Sequence, residues 1–174
     1  AALGLLYAQF GQIETGHALA KEAARHGVQM LPLQAWVQAT LARIALCAGR
    51  LEEAEAHLAT AQPGYAQLLT GLSVLVPAWA EVALARGEVQ YARGEYPAVI
   101  ETMDTLLSSL HAHAVLPFTY DAHYLRAMAL LALEREPEAE QTLASARAAA
   151  DAIGARRILW KILSAQSQLA MRRG

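Results

Sequence analysis

The chain has 174 residues, of which 55% are hydrophobic and 17% are charged, and its formal net charge is −2. This length allows one ordinary domain with a buried core, and the charge argues against a general polyanion binder, because duplex binding needs clustered Lys and Arg. The most apolar stretch, residues 68–89, is interrupted by Gly71, Pro77, Glu81 and Arg86, which excludes a membrane-spanning helix.

Composition predicts helices, since Ala, Leu, Glu, Gln and Arg dominate and sheet-forming residues are sparse. The single cysteine, Cys47, has no internal disulfide partner and fits a reducing compartment; we expect it to be a small apolar filler. Arg is plentiful and Lys rare, as in GC-rich bacterial genomes. With no basic segment before an apolar run at the start, we expect a cytoplasmic bacterial protein, of which this chain is a fragment.

Apolar periodicity between turn signals predicts ten helices. In chain order they are 1–10, 14–27, 32–48, 51–62, 65–76, 78–93, 97–113, 118–133, 137–153 and 156–172. Pro63–Gly64 and Pro77 are predicted to bracket an irregular part of the chain, with the helix 65–76 between them.

A tight turn recurs at intervals of 38 to 45 residues, at Gly11, Gly49, Gly94 and Glu134, with a further copy at Gly174. Gly suits the position after a helix end because it adopts positive φ without a Cβ penalty. The repeat predicts about four and a half helical hairpins.

The pattern resembles the tetratricopeptide repeat (TPR), in which small residues stand seven positions before the turn and five and twelve positions after it. The residues at these positions are Gly4, Ala42, Gly87, Ala127 and Ser167; Gly16, Ala54, Val99 and Ala139; and Ala23, Ala61, Leu106 and Ala146. All except Val99 and Leu106 are Gly, Ala or Ser. Small residues allow two helices to cross closely. The resemblance implies an all-α, right-handed superhelical solenoid, a single domain over residues 1–174, whose third hairpin is splayed by Val99 and Leu106.

Two stretches, Leu75–Tyr96 and Ala150–Ala170, resemble the helical sensor arrays of large bacterial signalling ATPases. These include the LuxR-type maltose-activator group and the ATPase-linked cyclases. The resemblance implies a regulatory arm beside a nucleotide-switch module, although this chain has no GxxxxGK[ST] loop of its own.

In TPR arrays the first helix of each hairpin lines the concave face, so the resemblance implies a set of binding residues. They are Trp36, Arg43, Glu81, Glu88, Tyr91, Asp121, Tyr124, Lys161 and Gln168. Aromatic residues and Arg dominate interface energetics, but aromatics at helical spacing equally fit packing between hairpins. An acidic C-terminal peptide is disfavoured, because the two cations of this set, Arg43 and Lys161, stand at opposite ends.

Metal and catalytic sites are not predicted. His111 and His113 are two positions apart and face different sides of a helix, and His17 and His57 have no recurring acidic partner at ligand spacing. The motifs GxSxG, GxGxxG and HExxH are absent. We expect no enzyme activity, no cofactor and no metal.

These observations favour a non-catalytic protein- or peptide-binding scaffold, the sensor or coupling arm of a larger bacterial transcriptional or signalling regulator. Its partner would be a protein, a peptide or a neighbouring domain of the same chain, and neither nucleic acid nor a membrane. The alternative is a small-molecule sensor that binds an effector such as a sugar in the concave groove.

The last helix carries two apolar stripes. Leu159, Ile162, Gln166 and Leu169 are expected to pack on the preceding hairpin, whereas a second stripe is left uncovered, at Trp160, Leu163, Ser167 and Ala170. Exposed apolar strips often mark interfaces. We therefore expect a homodimer through this helix, or stabilisation by a further helix.

Overall fold

The computed structural model describes the backbone of residues 1–25, 31–70 and 76–173, and the side chains of 1–25, 33–62 and 77–171. The described residues form nine helices and no strand. The helices are α1 (Ala2–Gln9), α2 (Ile13–Arg25), α3 (Leu31–Cys47), α4 (Leu51–Thr70), α5 (Val76–Ala92), α6 (Tyr96–Ala112), α7 (Thr119–Ala132), α8 (Glu136–Ala152) and α9 (Arg156–Arg173). Within the described ranges, no helix is both long and apolar enough to cross a membrane.

The helices fall into two compact units, Ala1–Arg93 and Gly94–Gly174. In the first unit α1 packs on α2 and α3 packs on α4, and α3 also contacts α5. In the second unit α7 packs on α6 and α8, and α9 packs on α8. The prediction of a single domain over the whole chain stays a prediction.

The predicted turns are present, and they share one geometry. Gly49 has φ +71°, and the amide of Arg50 donates to the carbonyl of Ala45 at 2.9 Å, the hydrogen bond that closes a helix end of this type. The fourth turn repeats this with a non-glycine residue, since Glu134 has φ +58° and the amide of Arg135 donates to Leu130 at 2.9 Å. The turn spacing is therefore confirmed, while Gly174 lies outside the described residues.

Small residues lie where paired helices cross. A Cβ atom on Gly4 would lie 2.5 Å from the carbonyl oxygen of Gly16, so α1 and α2 approach at a distance that only glycine permits. In the second and fourth hairpins Ala42, Ala54, Ala127 and Ala139 are fully buried, as predicted. Ser167 of α9, in contrast, is exposed.

The prediction for the third hairpin remains open. Val99 and Leu106 are fully buried in α6, and α5 and α6 belong to different units. Because the boundary between the units falls between α5 and α6, the splaying expected from these two larger side chains stays a prediction.

The predicted break at Pro63–Gly64 is wrong. A single helix, α4, runs from Leu51 to Thr70, and so replaces the expected helix 51–62 and much of 65–76. Proline costs a helix one hydrogen bond and crowds the carbonyl four residues earlier, about 3 kcal/mol. Packing of α4 against α3 and α5 outweighs that local preference, as tertiary context often does. Pro77 is the second residue of α5, where proline is tolerated.

Candidate functional site

Three of the predicted binding residues form one ion-pair cluster in the first unit, here called the Arg43 cluster: Arg43 of α3 with Glu81 and Glu88 of α5. Arg43 is only 8% exposed. Its Nη1 donates to Glu81 Oε2 at 2.7 Å, and its Nε and Nη2 each donate to one oxygen of Glu88 at 2.8 Å. Glu81 and Glu88 are seven positions apart and so lie on the same face of α5. This planar fork is the strongest hydrogen-bonding arrangement available to an arginine.

The Arg43 cluster connects α3 to α5. Ala39 lies one turn before Arg43 on α3, and Leu84 lies between Glu81 and Glu88 on α5. Both residues are at most 1% exposed. The stripe predicted to line a groove is therefore, at its centre, the contact between two helices. Glu88 keeps 31% of its side chain exposed, so the cluster presents carboxylate to solvent and has one more negative than positive charge.

Aromatic side chains accompany the cluster. Trp36, two turns before Arg43 on α3, and Tyr91, one turn after Glu88 on α5, are both half-buried. Within the described part of the structure, the buried indole nitrogen of Trp36 has no hydrogen-bond partner, and the same holds for Trp79. Trp79 of α5, which is 5% exposed, was not among the binding residues predicted from the sequence. The sequence feature that could have identified it is its position in a run rich in Ala and Val.

The other predicted residues lie in the second unit, on helices α7 and α9. Tyr124, with Met128, packs against the core formed by Ala127, Leu143 and Ile162 among others, and Asp121 is half-buried on the same helix. On α9, Lys161 Nζ lies 5.8 Å from the ring centroid of Trp160, a cation–π distance, and Gln168 is exposed. Tyr124 thus contributes to packing, whereas Lys161 and Gln168 lie on α9.

A cavity of about 300 Å³ in the second unit is lined by residues that sequence reasoning did not select. They are Asp104, Leu107, His123, Arg126, Glu138, Gln141, Thr142 and Ser145. Arg126 Nε donates to Asp104 Oδ1 at 2.7 Å and Nη1 donates to Thr142 Oγ1 at 2.9 Å, so Arg126 of α7 connects α6 to α8. Burial lowers the pKa of His123, and the charge of Arg126 lowers it further. These lining residues are far apart in sequence, and only folding brings them together.

A second group that the sequence did not reveal joins α2 to α4 in the first unit. His17 Nε2 lies 3.6 Å from Glu53 Oε1, and His57 Nε2 lies 3.8 Å from the same oxygen. His57 Nδ1 donates to Gln38 Oε1 at 2.7 Å. Burial lowers the pKa of His57, an effect that the charge of Glu53 partly opposes. We call His17, Glu53 and His57 the histidine cluster. Glu53 stands four residues before His57, and this pair was the signal available in the sequence.

Of two further predictions, the one for α9 is confirmed and the one for Cys47 is wrong. The two stripes of α9 are confirmed: Ile162 and Leu169 are buried, while Trp160 is 65% exposed and Leu163 is 45% exposed. Cys47 is not the predicted apolar filler, because it is exposed. It is the last residue of α3.

The chain matches no protein family and no curated protein. It is similar to a crystal structure from Podosopora anserina, of a protein described as a kinesin light chain with nearly identical TPR-like repeats. The likeness has a TM-score of 0.62 at 17% sequence identity and covers 99% of this chain and 94% of that one. The predicted fold class, an all-α TPR-like helical repeat, is confirmed. The handedness of the superhelix stays a prediction.

Proposed function

We propose that this chain is a non-catalytic scaffold that binds a protein or a peptide. The observation that carries the proposal is the Arg43 cluster on a TPR-like fold. Its three side chains are fixed by charge-assisted hydrogen bonds between helices α3 and α5. A surface that is already ordered loses less conformational entropy when a partner binds.

The charge of this surface indicates the chemistry of the partner. Two carboxylates face one guanidinium, and the half-buried Trp36 and Tyr91 share the same helix stripes. A partner side chain with a positive charge would find an acidic, partly desolvated surface with aromatic carbon beside it, which is the combination that favours Lys or Arg. We therefore propose a peptide segment with at least one basic residue.

The biological setting that we propose is the sensor or coupling arm of a larger bacterial transcriptional or signalling regulator. It is supported by the resemblance of Leu75–Tyr96 and Ala150–Ala170 to the sensor arrays of signalling ATPases. In that setting the partner is a neighbouring domain of the same protein or a separate regulator. A coding sequence in which the chain is joined to a nucleotide-switch or DNA-binding domain would support this setting, and a coding sequence without either would contradict it.

Selection of peptides from a random display library against the purified chain tests the binding proposal. We expect selected peptides to be enriched in Lys or Arg and to bind Glu88→Gln about 2- to 5-fold more weakly, as for loss of a partly exposed charge pair. Glu101→Gln is the matched control, because it removes the same charge from an exposed site on α6. Peptides without basic residues, or equal binding to both variants, would contradict the proposal.

A further inference from the structure

The histidine cluster has the donor set of a transition-metal site. Glu53 and His57 lie one turn apart on α4 and so share a face, and His17 approaches them from α2. The three ligand atoms, two imidazole nitrogens and one carboxylate oxygen, all lie within 4.8 Å of one another. In a tetrahedral zinc site with bonds of about 2.0–2.2 Å, neighbouring ligand atoms are about 3.3–3.6 Å apart. The separations of 3.6 and 3.8 Å from Glu53 Oε1 therefore need only small side-chain adjustments.

The remaining contacts orient these atoms toward a common point. An amide oxygen only accepts hydrogen bonds, so His57 carries its proton on Nδ1, where it donates to Gln38, and the lone pair of the neutral ring is on Nε2. Glu53 Oε2 forms an ion pair with Arg50 Nη1 at 2.9 Å, and Oε1 is the oxygen that lies nearest to the histidines. A partner that fixes the second nitrogen of a histidine ligand is typical of protein metal sites.

His17 provides an independent observation. Its Nε2 atom is buried, and within the described part of the structure it has no hydrogen-bond partner. A buried polar atom without a partner is unfavourable. A cation between the three side chains would satisfy this nitrogen together with the lone pair of His57 and the charge of Glu53.

We propose that His17, Glu53 and His57 bind one Zn²⁺ ion, which joins the first helical hairpin to the second. Neutral imidazole and carboxylate ligands suit zinc. Three protein ligands leave a fourth position, which water occupies. The site is separate from the Arg43 cluster, and its role is to fix α2 against α4.

Titration of the untagged, chelator-treated full chain with ZnCl₂ tests the proposal, with calorimetry giving affinity and elemental analysis giving stoichiometry. We expect one Zn²⁺ per chain and a higher melting temperature with the metal. His17→Gln, Glu53→Gln and His57→Gln should each weaken binding at least about tenfold. His111→Gln is the control, since it removes an exposed histidine from α6 of the second unit.

Two variants outside the ligand set keep the test decisive if a ligand variant does not fold. Gln38→Ala should weaken Zn²⁺ binding about tenfold by releasing the ring of His57. Lys21→Gln should tighten it several-fold, because the charge of Lys21, exposed on α2 one turn after His17, acts on His57 and repels a cation. Substoichiometric binding, or an affinity that the Gln38, Lys21 and ligand variants leave unchanged, would overturn the proposal.

Discussion

Each unit of the molecule uses an arginine to connect helices, and the two arginines differ in burial. Arg43 is 8% exposed and engages two carboxylates with three hydrogen bonds. Arg126, whose side chain is 22% exposed against 9% for that of Arg43, engages one carboxylate and the hydroxyl of Thr142. That carboxylate, Asp104, is 51% exposed. A charge out of contact with water must be paired, whereas an exposed pair exchanges its partner for water at little cost. The comparison predicts that similar hydrogen-bond distances carry different energies in the two units.

The largest expected effect is that of Arg43→Met. This change leaves Glu81 and Glu88 close together and partly buried without their cation, so we expect it to lower the free energy of unfolding by about 3 kcal/mol. Arg126→Met should cost about 1 kcal/mol or less. Urea denaturation measures both. Adding Glu81→Gln and Glu88→Gln to Arg43→Met should restore part of the loss, and equal losses for the two arginines would break the comparison.

The next prediction compares a helix crossing in the first unit with the matching crossing in the second. Gly16→Ala places a Cβ against the carbonyl oxygen of Gly4, so we expect a loss of about 2 kcal/mol, although alanine favours a helix by up to about 1 kcal/mol. The matching position of the fourth hairpin, Ala139, already carries a buried methyl group. Thermal unfolding measures the effect, and a raised melting temperature for Gly16→Ala would show that α1 and α2 separate readily.

Substitutions at two turns with positive φ, Glu134 and Gly49, should change stability in opposite directions. Glu134→Gly removes a side chain from a residue with φ +58°, and we expect it to stabilise the chain by about 1 kcal/mol. Gly49→Ala, at the corresponding turn of the first unit with φ +71°, should destabilise it by about the same amount. Melting temperatures that move in the same direction for both variants would contradict this prediction.

His123, beside Arg126, makes the stability of the second unit depend on pH. Its pKa in the folded chain lies below the ordinary 6.5 because of burial first and Arg126 second, so the unfolded chain binds the proton more readily. Stability is therefore full above 6.5 and falls as pH drops through the folded pKa. Between about pH 7 and pH 5, wild type should lose more stability than His123→Gln. A parallel pH dependence of the two proteins would contradict this, and His111→Gln is the control.

The smallest effect on stability concerns exposed aromatics. Trp160→Glu should change the free energy of unfolding by less than about 0.5 kcal/mol, because Trp160 is 65% exposed. If α9 forms the predicted homodimer, the same change should abolish concentration-dependent association in light scattering. Phe10→Glu, at an exposed residue of the first unit, is the control. Association that persists in Trp160→Glu would contradict a dimer through α9.

The sequence was sufficient for features that depend on local backbone chemistry. Gly49 predicts its turn because a position that requires positive φ favours glycine. Glu134 was found only through the spacing of the other turns. The buried stripe of α9 follows from helical periodicity, since Ile162 and Leu169 lie on one face. In each case the signal comes from residues within a few turns of one another.

Tertiary structure decided the features that depend on distant residues. The continuity of α4 through Pro63 follows from its packing on α3 and α5. Local residue preferences do not predict that packing. Arg43 was predicted to face a partner, but its two carboxylates are 38 and 45 residues away, and only the packing of α3 on α5 brings them within hydrogen-bond distance. The histidine cluster likewise joins α2 to α4. The physical reason is that turn geometry and periodicity act within a few residues, whereas ion pairing and metal ligation depend on which helix faces meet.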